Sequence, residues 1–258
     1  MLQDRTVVVT GAGRGLGREI ALTLAAEGAR IVLAARSKDQ LESTREAIEA
    51  NGGKAAVAIA DVRSEGEVTA LERFCSDTFG PVDVVVCNSG IGGPSKPLWE
   101  IDRAEWDETM AVNVRGVFLC ARAFLPAMIA RGSGAIVVIG SMSGKRPLLN
   151  RSPYAASKTA LIGLVRTLAH EVAPHGVRVN IVSPGAVEGD RMDWVIEQQA
   201  QAQGISLEAA RAQFTSSSPF GRLVPASDVA AAVTFLASDR SASVTGEDLN
   251  VSAGAVMY

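Results

Sequence analysis

Short apolar runs rich in β-branched residues alternate along the chain with longer segments in which apolar residues recur at helical spacing. The runs lie at Thr6–Thr10, Arg30–Ala35, Lys54–Ala60, Val82–Cys87, Ala135–Gly140, Val177–Ser183 and Asp248–Val251. The helical segments lie near residues 15–27, 38–50, 65–78, 103–131, 154–173 and 226–238. Continuous apolar strands separated by helices are typical of a parallel sheet that is covered on both faces.

Seven such strands joined by right-handed crossovers predict an α/β fold with a doubly wound, Rossmann-type parallel sheet. No linker rich in Pro or Ser, no block of like charges and no internal repeat divides the 258 residues. We therefore expect residues 1–258 to form a single dinucleotide-binding domain.

One segment, residues 186–222, is longer than a simple connection requires. It contains two predicted helices, Met192–Ala202 and Leu207–Phe214. Ligands of open parallel sheets bind beyond the carboxyl ends of the strands, so we interpret this segment as a helical lid over the substrate. The alternative is a surface insertion with no role in binding.

The composition narrows the partners of the protein. The chain is 47% hydrophobic and 21% charged with a formal net charge of −3, and so has no broad positive field to attract nucleic acid or an anionic membrane. No run approaches the roughly 20 apolar residues of a spanning helix, and the N-terminal residues lack the pattern of a secretion signal. The three cysteines, Cys75, Cys87 and Cys120, have no metal-ligand spacing, which favours buried thiols in a reducing compartment. These features predict a cytoplasmic protein.

A glycine-rich turn, Thr10-Gly11-Ala12-Gly13-Arg14-Gly15-Leu16-Gly17, follows the first strand directly. Glycines permit a tight turn and let the backbone approach a pyrophosphate, whose charge is met by free N–H groups at the start of the next helix. A glycine cluster alone is weak evidence, but its place at the first strand-to-helix junction makes it strong. We predict a dinucleotide site that includes Gly11, Arg14, Gly15, Leu16 and Gly17.

The end of the second strand selects between the two nicotinamide dinucleotides. An NAD site places Asp or Glu here, where it accepts hydrogen bonds from the adenosine ribose. This strand instead ends Leu33-Ala34-Ala35-Arg36-Ser37, and the Arg36 guanidinium can pair with the 2′-phosphate of NADP. Arg14 can reach the same phosphate from the glycine turn. The cofactor predicted is NADP(H) rather than NAD(H); the alternative for both arginines is a solvated surface position.

A phenol and an ammonium share one face of the helix after the fifth strand, because Tyr154 and Lys158 are four residues apart. An unperturbed phenol has a pKa of about 10, but a nearby cation favours the phenolate. Ser141 lies one connection earlier, and the intervening loop can bring its hydroxyl toward the phenol. We therefore predict that Tyr154 exchanges a proton with the substrate.

These motifs resemble, in order and spacing, the short-chain dehydrogenase/reductase family over essentially the whole chain, and within it members like the 3-oxoacyl-carrier-protein reductases. The glycine turn resembles the family's cofactor turn, Asp61-Val62 its adenine-binding pair, and Cys87-Asn88-Ser89-Gly90 its Asn-Asn-Ala-Gly motif. Asn113, Ser141, Tyr154 and Lys158 match its catalytic tetrad. Pro184-Gly185, followed by Val187, matches the loop that meets the nicotinamide.

The resemblance implies an oxidoreductase that transfers a hydride between NADP(H) and a carbonyl or secondary alcohol. It implies that Tyr154 is the general acid and base, that Lys158 holds the nicotinamide ribose and lowers the phenol pKa, and that Ser141 hydrogen-bonds the substrate oxygen. Asn113 would position water and backbone for a proton relay. The resemblance also implies a homotetramer or dimer assembled through the helices near 103–131 and 154–173.

The sequence departs from the family pattern at three places. Cys87 replaces the first Asn of the Asn-Asn-Ala-Gly motif, whereas Asn88 remains. Gly189 stands where the family usually has Thr, so a hydroxyl contact to the nicotinamide carboxamide is missing. Val251-Ser252-Ala253-Gly254 replaces the more common Val-Asp-Gly-Gly.

The substrate class stays open at this stage. Cations of one loop (Lys145, Arg146, Arg151) and residues of the predicted lid (Arg191, Met192, Trp194) could select an anionic or an apolar substrate, or could be surface charges and packing. His170 and His175 have no third ligand near them in sequence, so no metal site is predicted. The main alternative function is a non-catalytic redox sensor or scaffold that binds NAD(P), against which the Ser-Tyr-Lys set argues. An epimerase or dehydratase is disfavoured because the chain has no large C-terminal substrate domain.

Overall fold

Seven parallel strands form one sheet in the computed structural model, which describes residues 1–258 apart from the side chains of residues 198 and 202. The strands are β1 (Thr6–Thr10), β2 (Arg30–Ala35), β3 (Lys54–Ile59), β4 (Val84–Cys87), β5 (Gly134–Ile139), β6 (Val177–Pro184) and β7 (Asp248–Val251). Their order is β3-β2-β1-β4-β5-β6-β7, and every neighbouring pair is parallel. The strand order reverses between β1 and β4, as in a doubly wound sheet. The predicted fold class is confirmed.

Helices cover both faces of this sheet. They are α1 (Gly15–Ala26), α2 (Lys38–Ala50), α3 (Glu65–Phe79), α4 (Arg103–Met110), α5 (Gly116–Arg131), α6 (Ser152–Val172), α7 (Asp190–Gln203), α8 (Leu207–Thr215) and α9 (Ala226–Ala237). Alternate residues of a strand face opposite sides, so Val8 packs with Phe124 of α5 on one face and Val9 packs with Ile20 of α1 on the other. Burial on both faces is why the strands are apolar without interruption.

Strand ends differ from the sequence prediction by one or two residues. β4 begins at Val84 rather than Val82, because the Asp83 carboxylate accepts the Thr6 N–H at 2.8 Å before the β1–β4 ladder starts. β3 ends at Ile59 rather than at the predicted Ala60. Such shifts leave the topology unchanged.

The segment predicted as one helix over 103–131 is α4 and α5 joined by a π-helical turn, Ala111–Arg115. Asn113 lies at the centre of this turn and is 1% exposed. Such single turns arise inside α-helices and often occur at functional sites. The apolar pattern runs through the turn without a break, so periodicity could not reveal it.

The continuous helical stretch Arg103–Arg131 has the length and hydropathy of a membrane-spanning helix. Its most apolar 18-residue window has a mean hydropathy of 1.4, but 56% of that window is buried inside the fold. The expectation that no segment reaches this length and hydropathy is wrong for this stretch. Cys120, Phe124 and Met128 pack against the sheet, as in the core helix of an α/β fold.

The segment predicted as a lid forms its own small packing unit. Ile196 and Ala200 of α7 contact Ala210 of α8 and Leu223 in a cluster separate from those of the sheet. Both predicted helices are present, and α7 begins two residues earlier than predicted, at Asp190.

Candidate active site

The glycine turn after β1 depends on its glycines for its backbone shape. Gly11 and Gly15 have φ of +66° and +53°, a conformation that favours glycine. A Cβ on Gly17 would overlap the carbonyl oxygen of Gly11 and the amide of Asn88, so only glycine fits there. Arg14 precedes α1 at its N-cap and, within the described chain, makes no capping hydrogen bond through its side chain. The first N–H groups of α1 therefore remain available to an anion.

Hydrogen bonds of Thr10 and Asn88 connect this turn to the residues that follow β4. Asn88 donates from Nδ2 to the carbonyl oxygens of Thr10 and Gly11 at 2.9 and 3.2 Å. The Thr10 hydroxyl oxygen accepts the backbone N–H groups of Asn88 and Ser89, each at 3.0 Å. Thr10 was missed as a site residue, although its place directly before the glycines was a usable signal.

Arg14 and Arg36 are both exposed near the glycine turn. Arg36 follows β2, whose end contains no carboxylate. Its positive charge contributes to lowering the pKa of Asp61, which follows β3. Arg14 is thus part of the turn, and Arg36 lies two residues after Ala34, whose carbonyl oxygen accepts the Gly11 N–H at 2.7 Å.

Asp61 is held by an arginine that sequence reasoning missed. Arg63 donates from Nε and Nη2 to the Asp61 carboxylate, at 2.9 and 2.5 Å, and from Nη1 to Glu108 of α4 at 2.7 Å. Hydrogen bonding to Arg63 keeps the pKa of Asp61 below its usual value, despite the opposing effect of burial. Val62 is buried against Gly116 of α5. Asp61 and Val62, the predicted adenine-binding pair, are therefore both held in place by contacts within the protein.

Ser141, Tyr154 and Lys158 converge at the carboxyl ends of the central strands. The Ser141 oxygen accepts the N–H of Ser143 at 3.1 Å, which leaves the hydroxyl proton available to another acceptor. Lys158 is buried on α6, donates to the carbonyl oxygen of Ile139 at 2.8 Å, and lies 5.8 Å from the centre of the Tyr154 ring. Tyr154 and Lys158 share one face of α6, as their spacing predicted.

The charges around Tyr154 favour its ionised form. Burial alone would raise the pKa of the phenol, but the Lys158 ammonium and a hydrogen bond to Ser141 lower it. Arg191 and Arg151 act in the same direction, and the net result is a pKa below the usual value. The pKa of Lys158 is also lowered, because burial outweighs the attraction of the phenol.

Asn113 uses its whole amide inside the protein. Nδ2 donates to the Ile91 carbonyl oxygen at 2.9 Å and to Oγ of Ser157 at 3.0 Å, while Oδ1 accepts the Ile91 N–H at 2.8 Å. Ser157 in turn donates to the carbonyl oxygen of Tyr154 at 2.7 Å. The fourth residue of the predicted tetrad is thus connected to the tyrosine through α6.

The loop after β6 carries Pro184, Gly185 and Val187. Gly185 donates its N–H to the carbonyl oxygen of Val251 at 2.9 Å, and a Cβ on Gly185 would lie 3.0 Å from Cα of Ser252. Val187 pairs with Val224 in an isolated parallel bridge. Residues 251–254, where the sequence departs from the family pattern, therefore pack against this loop. Gly189 has φ of +127°, a conformation that the family's threonine would rarely adopt.

The family model described as short chain dehydrogenase matches residues 5–201 of the chain. This chain belongs to the short-chain dehydrogenase family. It is 36% identical to the 3-oxoacyl-[acyl-carrier-protein] reductase of Escherichia coli (strain K12), over 99% of this chain and 98% of that protein. The same identity relates it to the crystal structure of a single-residue variant of actinorhodin polyketide ketoreductase with NADPH, at a TM-score of 0.95 and 100% coverage of both chains. An NAD+-bound xylitol dehydrogenase matches at 29% identity with a TM-score of 0.94, over 98% of this chain and 99% of that one.

Membership confirms the recognition that the motifs suggested and the reaction class that followed from it. This short-chain dehydrogenase is an oxidoreductase that transfers a hydride between a nicotinamide cofactor and a carbonyl or alcohol group. Nothing in the comparisons favours a non-catalytic sensor or scaffold.

The loop cations of this short-chain dehydrogenase have different surroundings. Lys145 forms a buried ion pair with Asp248 at 3.0 Å and donates to Asn250 at 2.6 Å, so its charge is neutralised by β7. The hypothesis that Lys145 selects an anionic substrate is wrong for that reason. Arg151 instead lies 5.7 Å from the centre of the Tyr154 ring, and Trp194 is 59% exposed.

One cavity lies at the carboxyl end of β7, not at Tyr154. It has a volume of about 370 Å³ and is lined by Phe220, Arg222, Val224, Asp228, Asn250, Val251, Ser252, Ala253, Gly254 and Val256. None of the predicted catalytic residues lines it. The site at Tyr154 is the stronger candidate for catalysis, because polar and charged groups with altered pKa values converge there.

Proposed function

We propose that this short-chain dehydrogenase is an NADP(H)-dependent carbonyl reductase whose general acid and base is Tyr154. The observation that carries the proposal is the convergence of Ser141, Tyr154 and Lys158 beside a glycine turn, with the pKa of the phenol lowered. General acid–base groups work best when their pKa lies near the working pH, so this shift suits the role.

In reduction, the substrate carbon gains a hydride and its oxygen gains a proton, so a carbonyl becomes a secondary alcohol. The bound nicotinamide supplies or accepts the hydride. Ser141 donates its hydroxyl proton in a hydrogen bond to the substrate oxygen, and Tyr154 gives its phenolic proton to that oxygen as charge develops. In oxidation the Tyr154 phenolate accepts the proton from the alcohol. The Lys158 ammonium stabilises the phenolate between the two states.

Lys158 and Asn113 complete the proposed tetrad. One Lys158 proton is committed to the Ile139 carbonyl, which leaves two N–H donors for the ribose hydroxyls of a bound dinucleotide. Asn113 holds Ile91 and Ser157 and so fixes the backbone around Tyr154. In this role it would position backbone groups and water for proton exchange with the solvent.

The residues present fit a dinucleotide. The absence of a Cβ at Gly17 lets the start of α1 pack closely on Gly11, a Cβ on Gly15 would meet nothing within 4 Å, and the first turn of α1 offers free N–H groups to a pyrophosphate. The remaining proposed contacts come from Gly11, Gly15, Leu16, Asp61, Val62, Asn88, Pro184, Gly185 and Val187.

The preference for NADP(H) rests on Arg36 and Arg14, which offer guanidinium groups to a 2′-phosphate where an NAD site would place a carboxylate. The ketoreductase with NADPH supports this choice, whereas the NAD+-bound xylitol dehydrogenase shows that a similar fold also accepts NAD+.

Residues 186–222 are proposed as the substrate lid. α7 and α8 pack on each other rather than on the sheet, so they can move as a unit about the loop that contains Gly189. Lids of this kind exclude water and complete the site after the substrate binds.

We also propose that the protein is a cytoplasmic homotetramer or dimer. The three cysteines are free and buried, which suits a reducing compartment. Phe118 on α5 is 47% exposed and would be covered by a helix of a second copy at the predicted interface. Light scattering of the purified protein measures the assembly directly.

The experiment that tests the function measures cofactor consumption with NADPH and NADH in parallel. The substrates are a panel of ketoacyl thioesters, sugars, diketones and aryl ketones. We expect NADPH-dependent turnover of at least one carbonyl class. Tight NADPH binding without turnover of any of them would favour the sensor instead.

A further inference from the structure

Two arginines from different elements converge beside Tyr154. Arg151 stands directly before α6, and Arg191 belongs to the first turn of α7 in the proposed lid. A Cβ on Gly92 would overlap Nη2 of Arg151 and would lie 2.8 Å from Nη2 of Arg191. Both guanidinium groups therefore reach the same point over a glycine of the loop after β4.

This pair has no counter-charge within the part of the chain that the structure describes. The side chains of Arg151 and Arg191 form no ion pair there with a carboxylate, and Nε of Arg151 is buried without a hydrogen-bond partner. Among the described residues, the Arg151 side chain donates one hydrogen bond, and its acceptor is neutral: Nη2 donates to the carbonyl oxygen of Gly92 at 2.9 Å. Burial and the charge of Arg191 lower the pKa of Arg151. Holding the two cations this close together is therefore unfavourable in free energy.

Other cations of the loop and of the lid are paired with carboxylates of the protein. Lys145 is neutralised by Asp248, and Arg211 of the lid pairs with Asp193 at 2.9 Å. Two adjacent guanidiniums that lack a carboxylate are suited to bidentate contacts with an anion that comes from outside.

The position of the pair limits the shape of the anion. The Arg151 guanidinium carbon lies 5.7 Å from the centre of the Tyr154 ring, and the charges of both arginines act on the phenol. In a substrate whose anionic group is held by the two arginines, only a few bonds would separate that group from the carbonyl oxygen that contacts the phenol. The glycine turn that suits the pyrophosphate is at the end of β1, on a different strand.

Resting on the proposed function, we infer that the substrate of this enzyme carries a carboxylate, a short chain away from the reacting carbonyl, which is held between Arg151 and Arg191. The substrate class is thus a short keto acid and its hydroxy acid. Because Arg191 belongs to α7, binding of the carboxylate also draws the lid onto the substrate. Gly92 permits the arrangement, since any side chain at residue 92 would displace both guanidiniums.

The first test compares short keto acids with their methyl esters, which keep the carbonyl and remove the charge. Acetoacetate and levulinate serve as acids of different chain length. We expect kcat/KM with NADPH to be about 10- to 100-fold higher for the better acid than for its ester. Arg151→Gln and Arg191→Gln should each remove most of this ratio, from which any common effect of the substitution on Tyr154 cancels. Arg73→Gln, which removes an exposed arginine of α3, is the matched control and should leave the ratio unchanged.

Three outcomes of this test separate the hypotheses. Equal turnover of acid and ester, or an acid preference that survives both arginine substitutions, would overturn the inference and leave the reductase intact. A loss confined to the KM of NADPH would assign the arginines to the cofactor and would also overturn it. Absence of turnover with every carbonyl would count against the proposed function itself.

A binding measurement decides the inference without turnover. Calorimetric titration of butyrate into the protein saturated with NADP+ should show binding that weakens about tenfold or more in the Arg151→Gln/Arg191→Gln double variant. Gly92→Ala should weaken it as well, because Gly92 has no positive φ and alanine would act only by displacing the guanidiniums. No binding of butyrate by the wild-type protein, or equal binding by the double variant, would refute the carboxylate site.

Discussion

Asn113 donates a hydrogen bond from Nδ2 to Oγ of Ser157 at 3.0 Å and thereby ties the π-helical turn between α4 and α5 to helix α6. Ser157 lies between Tyr154 and Lys158 on α6 and passes the connection to the Tyr154 carbonyl. The same amide closes two bonds with the Ile91 backbone in the loop after β4. One buried side chain thus fixes the relative position of three elements around the phenol.

Replacing Asn113 should therefore cost both stability and activity. Asn113→Leu keeps the branched shape of the side chain but leaves the N–H and the carbonyl of Ile91 unpaired, and each buried unpaired group costs about 1–3 kcal/mol. Urea denaturation should show a loss of that order in the free energy of unfolding. Ser157→Ala removes only one Asn113 partner and should cost less, about 1 kcal/mol. Asn51→Leu, an exposed control whose side chain donates to the carbonyl oxygen of Ala47, should stay within about 0.5 kcal/mol of wild type.

The alternation of apolar strands and helices was enough to predict the sheet, because burial on both faces leaves a direct mark on the sequence. The ends of the elements left a weaker mark. At Asp83, the competition between a side chain and a ladder partner decides where β4 begins. The π turn at Asn113 depends on tertiary hydrogen bonds to Ile91 and Ser157, which no periodicity records.

For the candidate site too, the sequence predicted some of the contacts and could not predict others. Tyr154 and Lys158 are neighbours on one helix, so their spacing alone predicted that they share a face. Arg63 and the meeting of Arg151 with Arg191 were out of reach, because these contacts join side chains whose directions are set by the whole fold. The ion pair of Lys145 was out of reach as well, since its partner, Asp248, lies about a hundred residues away on β7.

Tyr154→Phe should abolish proton transfer and leave cofactor binding nearly intact, because it removes only the phenolic oxygen. General acid–base catalysis contributes about 10²- to 10⁴-fold, so kcat should fall by that order. Fluorescence titration should give a Kd for NADPH within a few-fold of wild type. The chain has one other tyrosine, and Tyr258→Phe is the control expected to keep kcat. Loss of NADPH affinity in Tyr154→Phe would instead make Tyr154 a binding residue.

The pH dependence of oxidation should report the charges around Tyr154. The phenolate accepts the alcohol proton, so kcat/KM rises with pH through the pKa of Tyr154, which its neighbours hold below the usual value. Arg191→Gln removes one of the cations that lower this pKa, and the midpoint should move to higher pH. A neutral secondary alcohol should be the substrate, so that the charge of the substrate plays no part. Arg73→Gln is the control; superimposable profiles for Arg191→Gln and wild type would mean that Arg191 does not act on the phenol.

Arg36→Asp should lower the preference for NADPH, because a carboxylate would face the 2′-phosphate of NADP. Loss of a charge-assisted contact is worth about 1.5–3 kcal/mol, so the ratio of kcat/KM with NADPH to that with NADH should fall about 10- to 100-fold. The same substitution at Arg73 controls for net charge. An unchanged ratio would make Arg36 a solvated surface residue.

Gly17→Ala and Gly163→Ala form a matched pair that isolates the phosphate turn from helix propensity. Both glycines lie within helices, but a Cβ on Gly17 would overlap the Gly11 carbonyl and Asn88, whereas nothing lies within 4 Å of a Cβ on Gly163. Overpacking costs about 1–3 kcal/mol, and the shift of the Gly11 backbone should also weaken NADPH binding. Gly163→Ala should raise the free energy of unfolding by about 0.5–1 kcal/mol, since alanine has the higher helix propensity, and should leave the Kd for NADPH unchanged. Thermal denaturation with and without NADPH measures both effects, and a Gly17→Ala protein that NADPH stabilises as strongly as wild type would show that the start of α1 does not hold the cofactor.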